Sequence, residues 1–443
     1  MQDAKLKHLF GNSFAIATLV GGIIGLGILR TPGEIAEVVT DPSQYLMFWL
    51  FGGLFSLLTL AVIGELVAMT ARSGGPYTLV ARAYGPYAGF LIGWVDWLTF
   101  PAVLALKAVV VVEFAALLYP PLAAYITPGA ILVTTLFALI QLMGGATGGS
   151  IQRAAAVGIA CIAAATAIAL IYGGMTNTVP MSLASDEQHE VGGSLAVVIA
   201  AIIFTYDGSL YASYFGGEIK GGGRAAAVSA IKGLVIVTSL YLVMNAALVV
   251  AVPLQLLAGE ELAFASAMDL LFGVGAGSLI IVGAILTLLS QQNLSYMSGS
   301  RVLFALSVDG LASDRANKVD ERGTPIGALL PTWVLAVLLI ILGGFNFLLN
   351  LSVLLYVLIY ASLVYGVFRL RKQEPETPRP FRAFLHPFSS ALVLLGWIAF
   401  GMYIATSDPM TAVNTVALVA LSLPTYYLLM HLKRKPSVAD SYR

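Results

Sequence analysis

Two apolar stretches of this chain are interrupted by residues that release backbone hydrogen-bonding groups. The first reads Gly21-Gly22-Ile23-Ile24-Gly25-Leu26-Gly27-Ile28-Leu29, and the second reads Phe204-Thr205-Tyr206-Asp207-Gly208-Ser209. Where a helix unwinds at membrane depth, its freed amides and carbonyls must be buried in protein or line a cavity. The start of an outer half-helix offers N–H donors and a positive dipole end, and the end of an inner half-helix offers free carbonyls.

Charged and polar side chains inside apolar stretches are costly and mark further candidates. Lys107 lies well inside the stretch 86–118, with Asp96 and Glu113 on the same segment. It is expected either to face a central cavity, as a titrating or fixed positive charge, or to pair with Glu113 or Asp207 or snorkel outward. Arg30, one turn beyond the first break, has Glu34 at i+4 for a local or gating pair. Asp207 is placed to bind a cationic group or to cap the outer half-helix. Gln291, Asn293 and Ser295 present oxygens that could complete a sodium shell, with Ser295 the nominal ligand. The alternative for these three is helix packing by polar side chains. Gly21 and Gly25 also form a GxxxG packing face, which is compatible with a break.

These residues sit in a chain of 443 residues that is 59% hydrophobic and 10% charged. That is more apolar surface than a soluble fold of this length buries. Net charge is zero, which excludes a generally basic nucleic-acid binder. Lys5, Lys7, Arg72, Arg82, Arg153, Lys220, Arg224, Arg315, Lys318, Arg322, Arg369, Arg371, Lys372, Arg379, Arg382, Lys433 and Lys435 fall in alternate connections or the tails, so both termini are expected in the cytoplasm. Asp186, Glu187, Glu190, Glu260, Glu261, Asp269 and Asp408 fall in the intervening connections and are expected outside. Cys161, the single cysteine, is expected to be a small core residue, with no exposed thiol and no disulfide-linked partner. No cleavage pattern follows the first apolar run, so the first helix is expected to insert and stay. The histidines, His8, His189, His386 and His431, all fall in tails or connections, which gives no buried histidine relay.

Apolar periods predict helices at 12–39, 45–70, 86–118, 128–145, 151–174, 193–217, 226–252, 274–307, 328–344, 347–371, 387–406 and 410–431. The fold class is an all-α polytopic membrane protein of about twelve transmembrane helices. Breaks in helices one and six make a five-plus-five inverted repeat, with two helices added at the C-terminal end. The divisions are residues 1–192, 193–372 and 373–443. A short amphipathic piece is expected within 71–85. Trp94, Trp97, Trp333 and Trp397 read as packing or interface aromatics.

The chain resembles the amino acid, polyamine and organocation superfamily, especially bacterial relatives of the L-type amino acid transporters. The resemblance is carried by Gly22 through Leu29, by Phe204 through Gly208 with Glu218, Ile219, Lys220 and Arg224, and by Asn293 through Ser295, Ser300-Arg301 and Asp309-Gly310. It implies substrate binding at the two breaks by alternating access. Carried over, the amides of Gly25, Leu26 and Gly27 receive a carboxylate. The carbonyls of Ile23, Ile24, Phe204 and Thr205 receive an α-ammonium, with Asp207 and Gly208 beside them, and the Phe204 ring acts as a gate. The chain departs from the family at Leu26, where a small polar residue is common. It departs again at Ile159, where many relatives carry a lysine, so the resemblance implies no coupling ion.

The expectation is a secondary transporter of amino acids or related small zwitterions in a bacterial inner membrane, with lipid as its surroundings and no cofactor. An amine or carboxylate carrier, or a transporter-like receptor that binds without turnover, is the alternative. No H-E-x-x-H motif, Walker-type loop or selectivity filter supports an enzyme, an ATP-driven pump or a channel.

Overall fold

In the computed structural model, residues 11–70, 75–176, 195–208, 210–215, 219–342 and 345–434 are described. Lys5, Lys7, His8, Arg72, Asp186, Glu187, His189, Glu190, Ser209, Gly217, Glu218 and Lys435 lie outside the described residues, as do the side chains of Leu26, Phe204 and Lys433.

The chain folds as α1 (Asn12–Ile23), α2 (Leu26–Ala36), α3 (Pro42–Met69), α4 (Pro76–Tyr84), α5 (Pro86–Leu118), α6 (Ile126–Gln141), α7 (Gly145–Thr176), α8 (Leu195–Thr205) and α9 (Tyr211–Tyr214). It continues as α10 (Gly222–Ala251), α11 (Ala263–Phe272), α12 (Ser278–Val308), α13 (Ile326–Leu342), α14 (Phe345–Gln373), α15 (Phe388–Ser407), α16 (Pro409–Ala420) and α17 (Ser422–Arg434). Among the described residues, 10 helical stretches are long and apolar enough to cross a membrane, and α11 and α13 are shorter apolar helices.

Three local differences from the sequence reading have physical causes. The expected helix 410–431 is α16 and α17, parted at Leu421. Pro424, in the first turn of α17, has no N–H to return to the preceding turn. Helix α11 falls where a polar connection was expected: its face of Ala263, Phe264, Ala267, Met268 and Leu271 is buried, while the flanking Glu260 and Glu261 hide its period. Cys161 is exposed on α7, not buried, so the core reading is corrected. It lies on the outer side of a helix whose buried residues include Ile159, Ala163 and Ala167.

The broken pair α1/α2 and α8/α9 sits inside the bundle. Helix α1 packs on α7, α10 and α12, while α8 packs on α2 and α3. Helices α5 and α12 run against each other, and α14 closes over α5. Gly299 permits the α5–α12 approach, since a Cβ there would stand 2.7 Å from the Phe100 side chain. Behind the breaks, Trp49, Tyr206 and Tyr241 form a buried aromatic cluster with ring separations of 5.0 to 6.2 Å. Its hydroxyls are used: Tyr206 donates to the Trp49 carbonyl at 2.9 Å, and Tyr241 donates to the Ile23 carbonyl at 3.1 Å.

One end of the bundle is tied by a buried carboxylate. Glu65 of α3 accepts from Arg371 at 2.9 and 2.6 Å, from Arg379 at 3.1 Å and from the Ala383 amide at 2.7 Å. Beside it, Arg82 of α4 donates to Glu374 at 3.2 and 2.6 Å. At the other end, Arg30 of α2 reaches Glu261 at 3.6 Å, and the Gly259 amide donates to the Gly33 carbonyl at 3.2 Å. A Cβ on Gly33 would stand 2.1 Å from the Glu260 carbonyl oxygen, so glycine permits this contact.

Candidate functional site

Helix α1 ends at Ile23 and α2 begins at Leu26. Between them, Ile24 is extended (φ −67°, ψ 109°) and Gly25 serves as the N-cap of α2 without a side-chain cap. Among the described residues, no side chain caps the first amides of α2. The second break runs from Tyr206 to Leu210, between α8 and α9, with Gly208 at φ +148°. That left-handed value favours glycine. A Cβ on Gly208 would also meet the Ile23 side chain at 2.5 Å, so the two breaks touch.

A cavity of about 70 Å³, the volume open to the centre of a water molecule, lies at this contact. Gly22, Ile23 and Gly27 border it from the first broken helix, and Thr205, Asp207, Gly208, Leu210, Tyr211 and Tyr214 border it from the second. Helix α5 adds Phe100, Val103, Leu106 and Lys107, α12 adds Gln291, and α14 adds Ser352 and Tyr356. The space is large enough for a small solute.

The first break is held open by side chains from elsewhere. Gln291 donates to the carbonyls of Gly22 at 2.8 Å and Ile24 at 3.2 Å. With Tyr241 on Ile23, each of these three carbonyls already accepts one hydrogen bond and keeps one lone pair. Gln291 therefore acts as a clamp on the unwound turn, which the sodium-shell reading missed. Only a contact of 269 residues' separation reveals it.

Helix α2 is pressed onto the end of α8. The Thr31 and Thr205 hydroxyls lie 2.7 Å apart, and a Cβ on Gly27 would stand 2.6 Å from the Thr205 Cα. Asp207 accepts from the Tyr360 hydroxyl of α14. Lys107 is buried and donates to the Ser295 hydroxyl at 3.2 Å. Neither expected ion pair of Lys107, with Glu113 or with Asp207, is made among the described residues. Snorkelling is excluded by its burial. The Lys107 ammonium thus stands beside the oxygen assigned to sodium, and two cations at one hydroxyl repel.

Asn293 does not face the cavity. Its side-chain oxygen accepts from Gln141 at 2.8 Å and its nitrogen donates to the Gly148 carbonyl at 3.1 Å, so it packs α12 against α6 and α7. Ile159 borders a separate apolar space of about 40 Å³ with Ile24 and Ile28. Sequence reading also missed Asp96 as a neighbour of the site: Tyr214 donates to one of its oxygens at 2.7 Å, while the other is buried with no partner among the described residues.

Two helices broken inside a bundle of long apolar helices border one cavity, and the chain's family and relatives are transporters, not enzymes. The chain belongs to the family described as Amino acid permease, which matches residues 10–427. It is similar to the Serine/threonine exchanger SteT of Bacillus subtilis (strain 168), at 27% identity over 98% of this chain and 99% of that protein. It is 26% identical to the human Large neutral amino acids transporter small subunit 2, over 99% of this chain and 83% of that protein. The mouse b(0,+)-type amino acid transporter 1 is 23% identical over 98% of this chain and 90% of its own length.

Proposed function

We propose that this protein is a secondary transporter that carries amino acids or closely related small zwitterions by alternating access. The observation that carries the reading is the shared cavity. The uncapped start of α2 and the carbonyl end of α8 meet there through Gly27 and Thr205, a donor end against an acceptor end. A carboxylate fits the first and an α-ammonium the second. The sequence names of the relatives, all amino acid transporters or exchangers, support the same substrate class.

The wider architecture belongs to the same proposal. Counting the broken pairs as single crossings and α13 as one more gives twelve spans, arranged as two inverted five-helix repeats followed by two helices. The basic connections and both tails face the cytoplasm of a bacterial inner membrane. On that orientation, the Glu65–Arg371–Arg379 tie is on the inner side and Arg30–Glu261 on the outer side, where each pair can open or close access.

Purified protein in liposomes tests this, with a panel of labelled amino acids and a pH gradient, a sodium gradient, or internal unlabelled amino acid. Uptake under any of these supports the proposal and names the driving solute. Binding without uptake favours the receptor alternative, and uptake of amines or carboxylates alone favours the carrier alternative.

A further inference from the structure

We propose that Lys107 reads the substrate's side chain, and that the site takes small amino acids bearing a neutral hydrogen-bond acceptor, a hydroxyl or a carboxamide. This rests on the amino acid transport proposed above. Helix α5 borders the cavity without contributing a backbone break, so it meets the part of the solute that the broken helices do not hold. Its other cavity residues, Phe100, Val103 and Leu106, are apolar, which leaves Lys107 as the one polar feature of that wall.

An ammonium has three donors. The structure gives Lys107 one hydroxyl partner, Ser295, and no ion pair among the described residues. The remaining donors of a buried cation are costly to leave without an acceptor. An apolar side chain in the cavity would displace water from them and offer nothing in return. A substrate hydroxyl or carboxamide oxygen satisfies them.

Charge decides against the ionic alternatives. Asp207 lines the same cavity, so its wall already holds one acidic and one basic side chain. An acidic side chain adds an uncompensated negative charge beside Asp207, and a basic one adds a positive charge beside Lys107, in surroundings of low dielectric. Size decides against large side chains, since the cavity is only about 70 Å³.

The test is equilibrium binding to purified protein of labelled L-serine and L-asparagine against L-2-aminobutyrate, L-leucine and L-aspartate. The wild type is expected to favour serine over 2-aminobutyrate by about tenfold or more, the size of a hydrogen bond to a charged group. Lys107→Met should bring that ratio close to one, and Lys107→Arg should restore part of it, which a purely structural lysine would not do. If Lys107→Met is not recovered folded, Ser295→Ala releases the ammonium from its anchor and should lower the same ratio. A wild-type ratio near one, a preference for aspartate or leucine, or an unchanged ratio in the variants overturns this inference alone. Failure of the wild type to bind any amino acid overturns the transport reading and this inference with it.

Discussion

Thr31 donates to Thr205 across 2.7 Å, joining the second half of one broken helix, α2, to the last turn of the other, α8. The direction follows from Thr205, whose own proton goes to the Ala201 carbonyl at 2.7 Å. Thr31→Val keeps the shape and removes this one bond, worth about 1 kcal/mol, or roughly a fivefold shift between states in which α2 and α8 touch and states in which they part. The maximal uptake rate in liposomes should change accordingly, and equal rates in variant and parent would count against a latch.

Two glycine substitutions should separate the site from the scaffold. Gly27→Ala drives a Cβ to 2.6 Å from backbone at Thr205, where no side chain can swing away. Substrate affinity should fall by at least about tenfold as the two half-helices are pushed apart. Gly158→Ala on α7 meets nothing within 4 Å and should be neutral or stabilise by about 0.5–1 kcal/mol through helix propensity. Thermal midpoints in detergent and binding titrations check both.

At Asp96, the order of two variants is informative. Tyr214→Phe leaves a buried carboxyl without the hydroxyl that now bonds it, whereas Asp96→Asn keeps an acceptor for Tyr214. Tyr214→Phe should therefore be the more damaging to stability, by about 1–3 kcal/mol. The reverse order in thermal melts would mean that the second Asp96 oxygen has a partner of its own that asparagine cannot serve.

The Arg82–Glu374 pair has a pH signature. The Arg82 guanidinium hydrogen-bonded to Glu374 holds its carboxyl below the usual carboxylate value. A lowered folded value means that the stabilisation is fully present above the unfolded carboxyl's value, about 4.3, and is lost as pH falls through the folded one. The effect is small, because both side chains are about 30% exposed. The melting advantage of the parent over Glu374→Gln should be constant above about pH 5 and shrink below it. An advantage that does not vary with pH would contradict this assignment.

Both breaks were legible because glycine and the Tyr206-Asp207-Gly208 turn interrupt otherwise continuous apolar runs, a local signal. The long helices α5 and α12 were legible for the same reason. What stayed hidden depends on pairs far apart in sequence. Gln291 looks like any polar residue of a membrane helix until its amide is seen on the Gly22 and Ile24 carbonyls. Asn293, two residues on, points to Gln141 and Gly148 instead, and nothing local distinguishes the two. Cys161 was misjudged because α7 is apolar all round, so its period does not tell a protein-facing side from an exposed one.

On the proposed function, one cavity between the broken helices carries amino acids across the membrane. Counterflow tests it most directly: liposomes holding the purified protein are loaded with unlabelled serine and diluted into trace labelled serine. Transient accumulation of label is expected in wild-type vesicles, strongly reduced by Gly27→Ala and retained by Gly158→Ala. No accumulation with serine or any other amino acid, or equal accumulation in the Gly27→Ala variant, would contradict it.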